Sequence, residues 1–203
     1  SAINRNFPGR SGPGSVWLYD PADNTYTTGP AFPPAVGYAH DIVYFPPDDS
    51  FYVFQSDGRV WRIVLNRTNA MFTQVSAVAV TGIRPAASSR CGFAYDPVNR
   101  TIGGNITNGT FYAFDPGTSA WSATSMQVEA GSVGVPNQAF HCLDYDVGAG
   151  CFVFLNEASN PSTWVYRHGG KSTGTATAGV GDLDVALDFG GGSVAVFAGA
   201  NAV

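Results

Sequence analysis

Asp41-Ile42-Val43-Tyr44-Phe45-Pro46-Pro47-Asp48-Asp49-Ser50-Phe51-Tyr52-Val53-Phe54 is an alternating run, a turn, and a second run. Alternation with period two places successive side chains on opposite faces, and the Pro-Pro-Asp-Asp break reverses the chain, so the stretch reads as a β-hairpin. Its pattern returns about every fifty residues. Cys91-Gly92-Phe93-Ala94-Tyr95-Asp96-Pro97 is a second copy. His141-Cys142-Leu143-Asp144-Tyr145-Asp146 followed by Cys151-Phe152-Val153-Phe154 is a third. Val185-Ala186-Leu187-Asp188-Phe189, three glycines and Ser193-Val194-Ala195-Val196-Phe197 is a fourth. The aromatic position recurs as Phe45, Tyr95 and Tyr145, fifty residues apart, and as Phe189 in the fourth copy. An apolar residue stands two before it each time (Val43, Phe93, Leu143, Leu187).

A second set of strands lies between the hairpins: Trp17-Leu18-Tyr19-Asp20-Pro21, Trp61-Arg62-Ile63, Tyr112-Ala113-Phe114-Asp115-Pro116 and Trp164-Val165-Tyr166. About ten residues after three of them an aromatic opens a further strand, at Tyr26, Phe72 and Trp121; the fourth is expected in 173–178. Repetition at this period means stacked copies of one supersecondary unit, each burying its faces on its neighbours. The expected fold is all-β: a four-bladed β-propeller of four-stranded antiparallel blades. Residues 1–15 would form an extended N-terminal arm and 16–203 a single propeller domain. The first half-blade supplies third and fourth strands and the last supplies first and second strands. Their pairing is expected to close the ring and remove its open edge.

Val16-Trp17-Leu18-Tyr19-Asp20-Pro21-Ala22-Asp23-Asn24-Thr25-Tyr26 and Phe111-Tyr112-Ala113-Phe114-Asp115-Pro116-Gly117-Thr118-Ser119-Ala120-Trp121 resemble blade segments of Kelch and galactose-oxidase-type β-propellers. The resemblance runs over most of the chain. It departs from that family in two ways. Only Gly103-Gly104 matches the glycine pair that usually follows the second strand, and Kelch rings usually have more than four blades.

Composition narrows the function classes. Hydrophobic residues at 44% can build a core, and charged residues at only 12% leave little ionic surface. A net charge of -5 argues against electrostatic nucleic-acid binding. No apolar run reaches the length of a spanning helix, and no signal segment is visible at the N-terminus. Three cysteines (Cys91, Cys142, Cys151) without a Cys-x-x-Cys pair make neither a disulfide framework nor a zinc knuckle. Sequons stand at Asn66, Asn99, Asn105 and Asn108.

No catalytic or metal motif emerges, and neither cofactor nor metal is expected. On the fifty-residue period His40 aligns with Arg90 and Phe140, whereas His141 aligns with Cys91 and Asp41, so the two histidines are expected on opposite strand faces. The set of two tyrosines, two histidines and a Tyr–Cys crosslink that a galactose-oxidase copper site needs is not present. Asp144 and Asp188 share an inner-strand position held by Tyr44 and Ala94 in the other units. As axial carboxylates they would serve a glycoside hydrolase or oxidase. As turn residues they would bind backbone N–H groups.

Function on a propeller is carried by rim loops. The long connections Pro30–Tyr38, Val78–Ser89 and Gln127–Gln138 are poor in charge and rich in Pro, Val, Ala and Gly. They nominate Phe32 and Val135 as apolar contacts and Tyr38, Arg84, Glu129 and Gln138 as polar ones. The first reading is a non-enzymatic structural or binding protein. It would contact protein partners in a larger assembly or as a homo-oligomer, in a virion (tail or capsid decoration) or another extracellular setting. A carbohydrate-binding lectin that takes a glycan on rim aromatics is the alternative, and the axial-carboxylate enzyme is the third reading.

Overall fold

The computed structural model describes residues 2–4, 15–31, 40–66, 71–86, 91–128, 135–156, 162–169 and 194–196. All of them are strand, turn or connection except one helical turn at Pro46–Asp48. The first sheet holds β1 (Ala2–Asn4), β2 (Ser15–Asp20) and β3 (Thr25–Ala31). The second holds β4 (His40–Phe45), β5 (Ser50–Gln55), β6 (Val60–Asn66) and β7 (Met71–Ala77) in that order. The third is built from β8 (Thr81–Gly82), β9 (Phe93–Asp96), β10 (Thr101–Thr107), β11 (Thr110–Asp115) and β12 (Ala120–Ser125). The fourth is built from β13 (Gln127–Val128), β14 (Gln138–Asp146), β15 (Cys151–Asn156), β16 (Ser162–Tyr166) and β17 (Val194–Val196). Pairing is antiparallel throughout, save where β8 lies parallel to β12 and β13 parallel to β17. Among the described residues no helix is long and apolar enough to cross a membrane.

The hairpins form for a local reason. Five of them turn through four residues and return through a left-handed residue: Asn24, Asp49, Arg100, Ser119 and Gly150. In four, the aspartate that ends the first strand folds its carboxylate onto the turn. Asp20 accepts from Ala22 N at 2.9 Å, Asp96 from Val98 N at 2.9 Å, Asp115 from Gly117 N at 2.8 Å and Asp146 from Ala149 N at 3.0 Å. The first three are Asx turns, and all four contacts satisfy backbone donors that the ladder leaves free.

Turn geometry also corrects the repeat. Phe45 pairs with Ser50 just as Asp96 pairs with Thr101 and Asp146 with Cys151, so Phe45 corresponds to Asp96, fifty-one residues on. Tyr44, Tyr95 and Tyr145 therefore share a position, as do Val43, Ala94 and Asp144. By the same count position 40 falls on 91 and 141, and the register shift between Gln138 and Leu143 breaks the alternation at 141. The fifty-residue alignment failed because it matched aromatics and not turn closures.

Sheets two to four stack face on face with a constant polarity. One face of the second sheet (Val43, Phe45, Tyr52, Phe54, Val60) packs on Phe93, Ile102, Phe114 and Trp121 of the third. The opposite face of the third (Ala94, Phe111, Ala113) packs on Phe152, Phe154, Trp164 and Tyr166 of the fourth. Strand β11 shows the period-two logic, since Phe111 and Ala113 serve one seam while Tyr112 and Phe114 serve the other. We call the Phe114/Trp121 type of face leading and the Phe111/Ala113 type trailing; each seam joins a trailing face to the next leading face. Each large side chain buried there contributes about 1.5–3 kcal/mol. Inner strands β4, β9 and β14 lie side by side, with β9 in the middle.

Among the described residues the expected ring joint is not seen. Strand β17 pairs with β16 and β13, and β2 pairs with β1 and β3, so Val194–Val196 does not meet the first sheet through β2. A short apolar strand carries no address for its partner and takes any open edge. The stretch at 1–15, expected as an arm, supplies β1 to its own chain. The strand expected at 173–178 and the run at 185–189 lie outside the described residues. Nor are the sheets uniformly four-stranded. Strands β8 and β13, cut from the connections between sheets, each add a fifth strand to the sheet that follows.

Gly104 is required by close approach. A Cβ there would stand 2.0 Å from the Gly92 carbonyl oxygen. Gly104→Ala should cost about 3 kcal/mol, at the upper end of overpacking penalties, read as a fall in the urea midpoint. Gly117→Ala, whose nearest atom is the Asp115 carboxylate at 3.2 Å, should leave that midpoint nearly unchanged.

Candidate functional site

The connections entering sheets three and four return to one end of the molecule. At the same end lie the starts of the inner strands and the turns joining β5 to β6 and β10 to β11. Arg84 and Pro85 lie over Gly58 in the first of those turns, and Val135 and Pro136 over Gly109 in the second. The Gly109 amide donates to Pro136 O at 2.8 Å and the Asn108 amide to Asn137 Oδ1 at 2.6 Å. Thr81 N donates to Ser119 O at 3.1 Å and Ile83 N to Trp121 O at 3.2 Å. Trp121 Nε1 reaches back to Gly58 O at 2.9 Å, tying the third sheet to the second at this rim. Two loops thus hold Arg84 and Val135 at equivalent places, both exposed, with Ile83 exposed beside Arg84.

Inside this rim the inner strands are clasped by side chains. Asp41 Oδ2 accepts from Phe93 N at 2.8 Å, joining β4 to β9, and its Oδ1 accepts from Ile42 N at 2.8 Å. His141 Nδ1 lies 2.7 Å from Cys91 O. A carbonyl only accepts, so Nδ1 carries the proton, and this bond joins β14 to the start of β9. Burial pushes the Asp41 carboxyl above its ordinary value, against two backbone amides and the His141 ring that favour the anion. Burial also pushes the Cys91 thiol up, which suits a packed residue and not a nucleophile.

Gln138, expected as a partner contact, is fully buried. Its amide nitrogen donates to Gly92 O at 3.2 Å and Phe140 O at 2.8 Å, while Oε1 accepts from Ile106 N at 3.2 Å. Its amide thus bridges three backbone groups at the β9–β10–β14 junction from a fully buried position, so it is a strut and not a rim contact. Tyr38, Phe32 and Glu129 lie outside the described residues, as does Asp188. Asp144 is exposed and accepts from Tyr145 N at 2.8 Å. The sequence reading missed Phe140, which a register shift between Gln138 and Leu143 leaves exposed with φ of 42°. No pattern in the residues foretells that shift. It also missed the Asp41 and His141 clasps.

Of the sequons, Asn105 is fully buried and donates to Ser56 O at 3.0 Å. Asn99 donates to Asp96 Oδ2 and His168 O, both at 2.7 Å. Asn108 is exposed on its turn.

No protein-family model and no curated protein matches the sequence. One solved structure that is similar, an auxiliary nutrient binding protein from Bacteroides thetaiotaomicron, superposes with a TM-score of 0.49 at 14% identity. The match covers 71% of this chain and 40% of that one, so this chain spans less than half its length.

The clasp makes a testable prediction. A carboxyl whose folded pKa is raised stabilises the fold below its unfolded value of 3.8, and that contribution is lost as pH rises through the folded value. Asp41→Asn keeps an oxygen for Phe93 N without the buried charge. It should match or exceed the wild type in stability at pH 7, with the gap closing as pH falls toward 3.8 in urea titrations. Asp41→Ala strands the Phe93 amide and should cost about 1–3 kcal/mol.

Proposed function

We propose that this chain is a non-enzymatic binding module, a propeller-like arc of Kelch-type sheets that contacts protein partners through its rim within a larger assembly, in a virion or another extracellular setting. The observation that carries this is the repeated presentation of Ile83-Arg84 and Val135, with Phe140 between the clasped inner strands. Each connection is pinned by backbone hydrogen bonds, so the apolar side chains are displayed in fixed places. Fixed display lowers the ordering cost that a flexible loop pays on binding. Exposed apolar residues grouped on a rigid rim are what a protein interface requires.

The polar groups beside them are occupied in the fold. Asp41, His141 and Gln138 each hold a neighbouring inner strand, which supports a structural use of these side chains.

The test is made on the native assembly that contains the chain. Ile83→Asp and Val135→Asp, both exposed, should leave the melting temperature unchanged and weaken retention in that assembly at least tenfold. Asp144→Asn should have no effect on retention. Unimpaired retention of both rim variants, or turnover of a glycan abolished by Asp144→Asn, would refute the reading.

A further inference from the structure

The two seams described follow one rule, a trailing face on the next leading face, and two faces outside them are exposed, one on the first sheet and one on the fourth. Strands β2 and β3 repeat the geometry of β11 and β12. Tyr19 pairs with Tyr26 as Phe114 pairs with Trp121, and the next pair is Asp20 with Thr25 as it is Asp115 with Ala120. The rings also meet alike, with centroids 4.8 Å apart in the first sheet and 5.3 Å in the third. Burial does not follow. Phe114 and Trp121 are 0% and 3% exposed, whereas Tyr19 and Tyr26 are 38% and 61% exposed. The first sheet therefore exposes the tyrosine pair of its leading face, where the third sheet buries the equivalent rings.

The uncovered trailing face belongs to the fourth sheet. Leu143, Tyr145, Phe152, Phe154, Trp164 and Tyr166 point to the third sheet. Their alternates on the same strands point away, and among them Leu155 is 44% exposed, Val153 and Val165 are half-buried, and Asp144 and Thr163 are exposed. In the third sheet the Asp144 position is Ala94, which is buried in a seam.

We infer that the chain associates with a second copy of itself, the Tyr19/Tyr26 face of one copy packing on the Val153/Leu155/Val165 face of the other. The contact continues the two seams already present, with the same strand types, ring pair and face polarity. Both faces are exposed among the described residues of one chain, and a second copy supplies the mate of each. Such a contact is heterologous: two copies that exchange both faces close on each other, and copies that exchange one at a time extend. The tyrosines suit the position, since each buries a ring while its hydroxyl keeps a polar partner, as Tyr19 does with Asn24 Oδ1 at 3.1 Å.

The experiment is light scattering of the full chain after size exclusion, with Tyr26→Asp and Leu155→Arg, both at exposed positions. The wild type should run at a multiple of 21.3 kDa and each variant at the monomer mass, with unchanged circular dichroism. An equimolar mixture of the two variants should recover a dimer, because each retains the face the other lacks. A monomeric wild type overturns the inference. So does a Tyr26→Cys/Leu155→Cys pair, made with Cys142→Ser, that oxidises within one chain. Multimers untouched by either variant overturn it as well. Ile83→Asp leaves this mass unchanged, which separates the outcome from that of the rim reading.

Discussion

Face-on-face packing of aromatic sheets is the interaction on which the rest depends. Phe54, Phe93, Phe114 and Trp121 meet at centroid distances of 4.8–5.8 Å across one seam, and Phe111, Phe152 and Tyr166 at 4.6–4.9 Å across the other. Non-ideal stacking angles are what ring quadrupoles favour, and each pair adds about 0.5–1.5 kcal/mol beyond its buried area. Against that, a single clasp such as Asp41 to Phe93 contributes about 1 kcal/mol net. The seams set the stacking, and the clasps fix the register of the inner strands once it is set.

A stack of sheets with polarity has consequences at its two ends and along its edges. Along the edges, the connections do more than span. Residues 81–82 and 127–128 lie down on outer strands as short parallel additions, which covers backbone donors that would otherwise be open. Beside the first of these, Ile83 N donates to Trp121 O, whereas Val135 is placed by the separate bond from Gly109 N to Pro136 O. The ends of the stack behave otherwise. A leading face without a trailing face on it exposes aromatic rings that elsewhere in the same chain are buried.

Much of this was legible in the residues. The alternating hairpins, the Asp that ends the first strand of four of them and the aromatic seams follow from short-range rules. Those rules are period two, Asx turns and left-handed closures. The misreadings share a cause. Gln138 looked like a surface amide because a polar residue in a connection usually is one; only the arrival of Gly92 O, Phe140 O and Ile106 N around it makes it a buried strut. The repeat was counted as fifty where the first spacing is fifty-one, and only the turn pairings reveal it.

The amino-acid sequence by itself determined the strands, their turns and which residues face a seam, because those depend on neighbours within a few positions of the chain. The tertiary structure alone decided which edge each strand takes and which polar side chains are spent on backbone. Val194–Val196 lies on β16 and not on the first sheet, Asp41 and His141 reach across to β9, and the face of Tyr19 and Tyr26 stands open. Edge selection depends on which unpaired strand is in reach when the chain is compact, and a side chain's hydrogen-bond partner on which backbone group is brought beside it. Neither quantity is local in the chain.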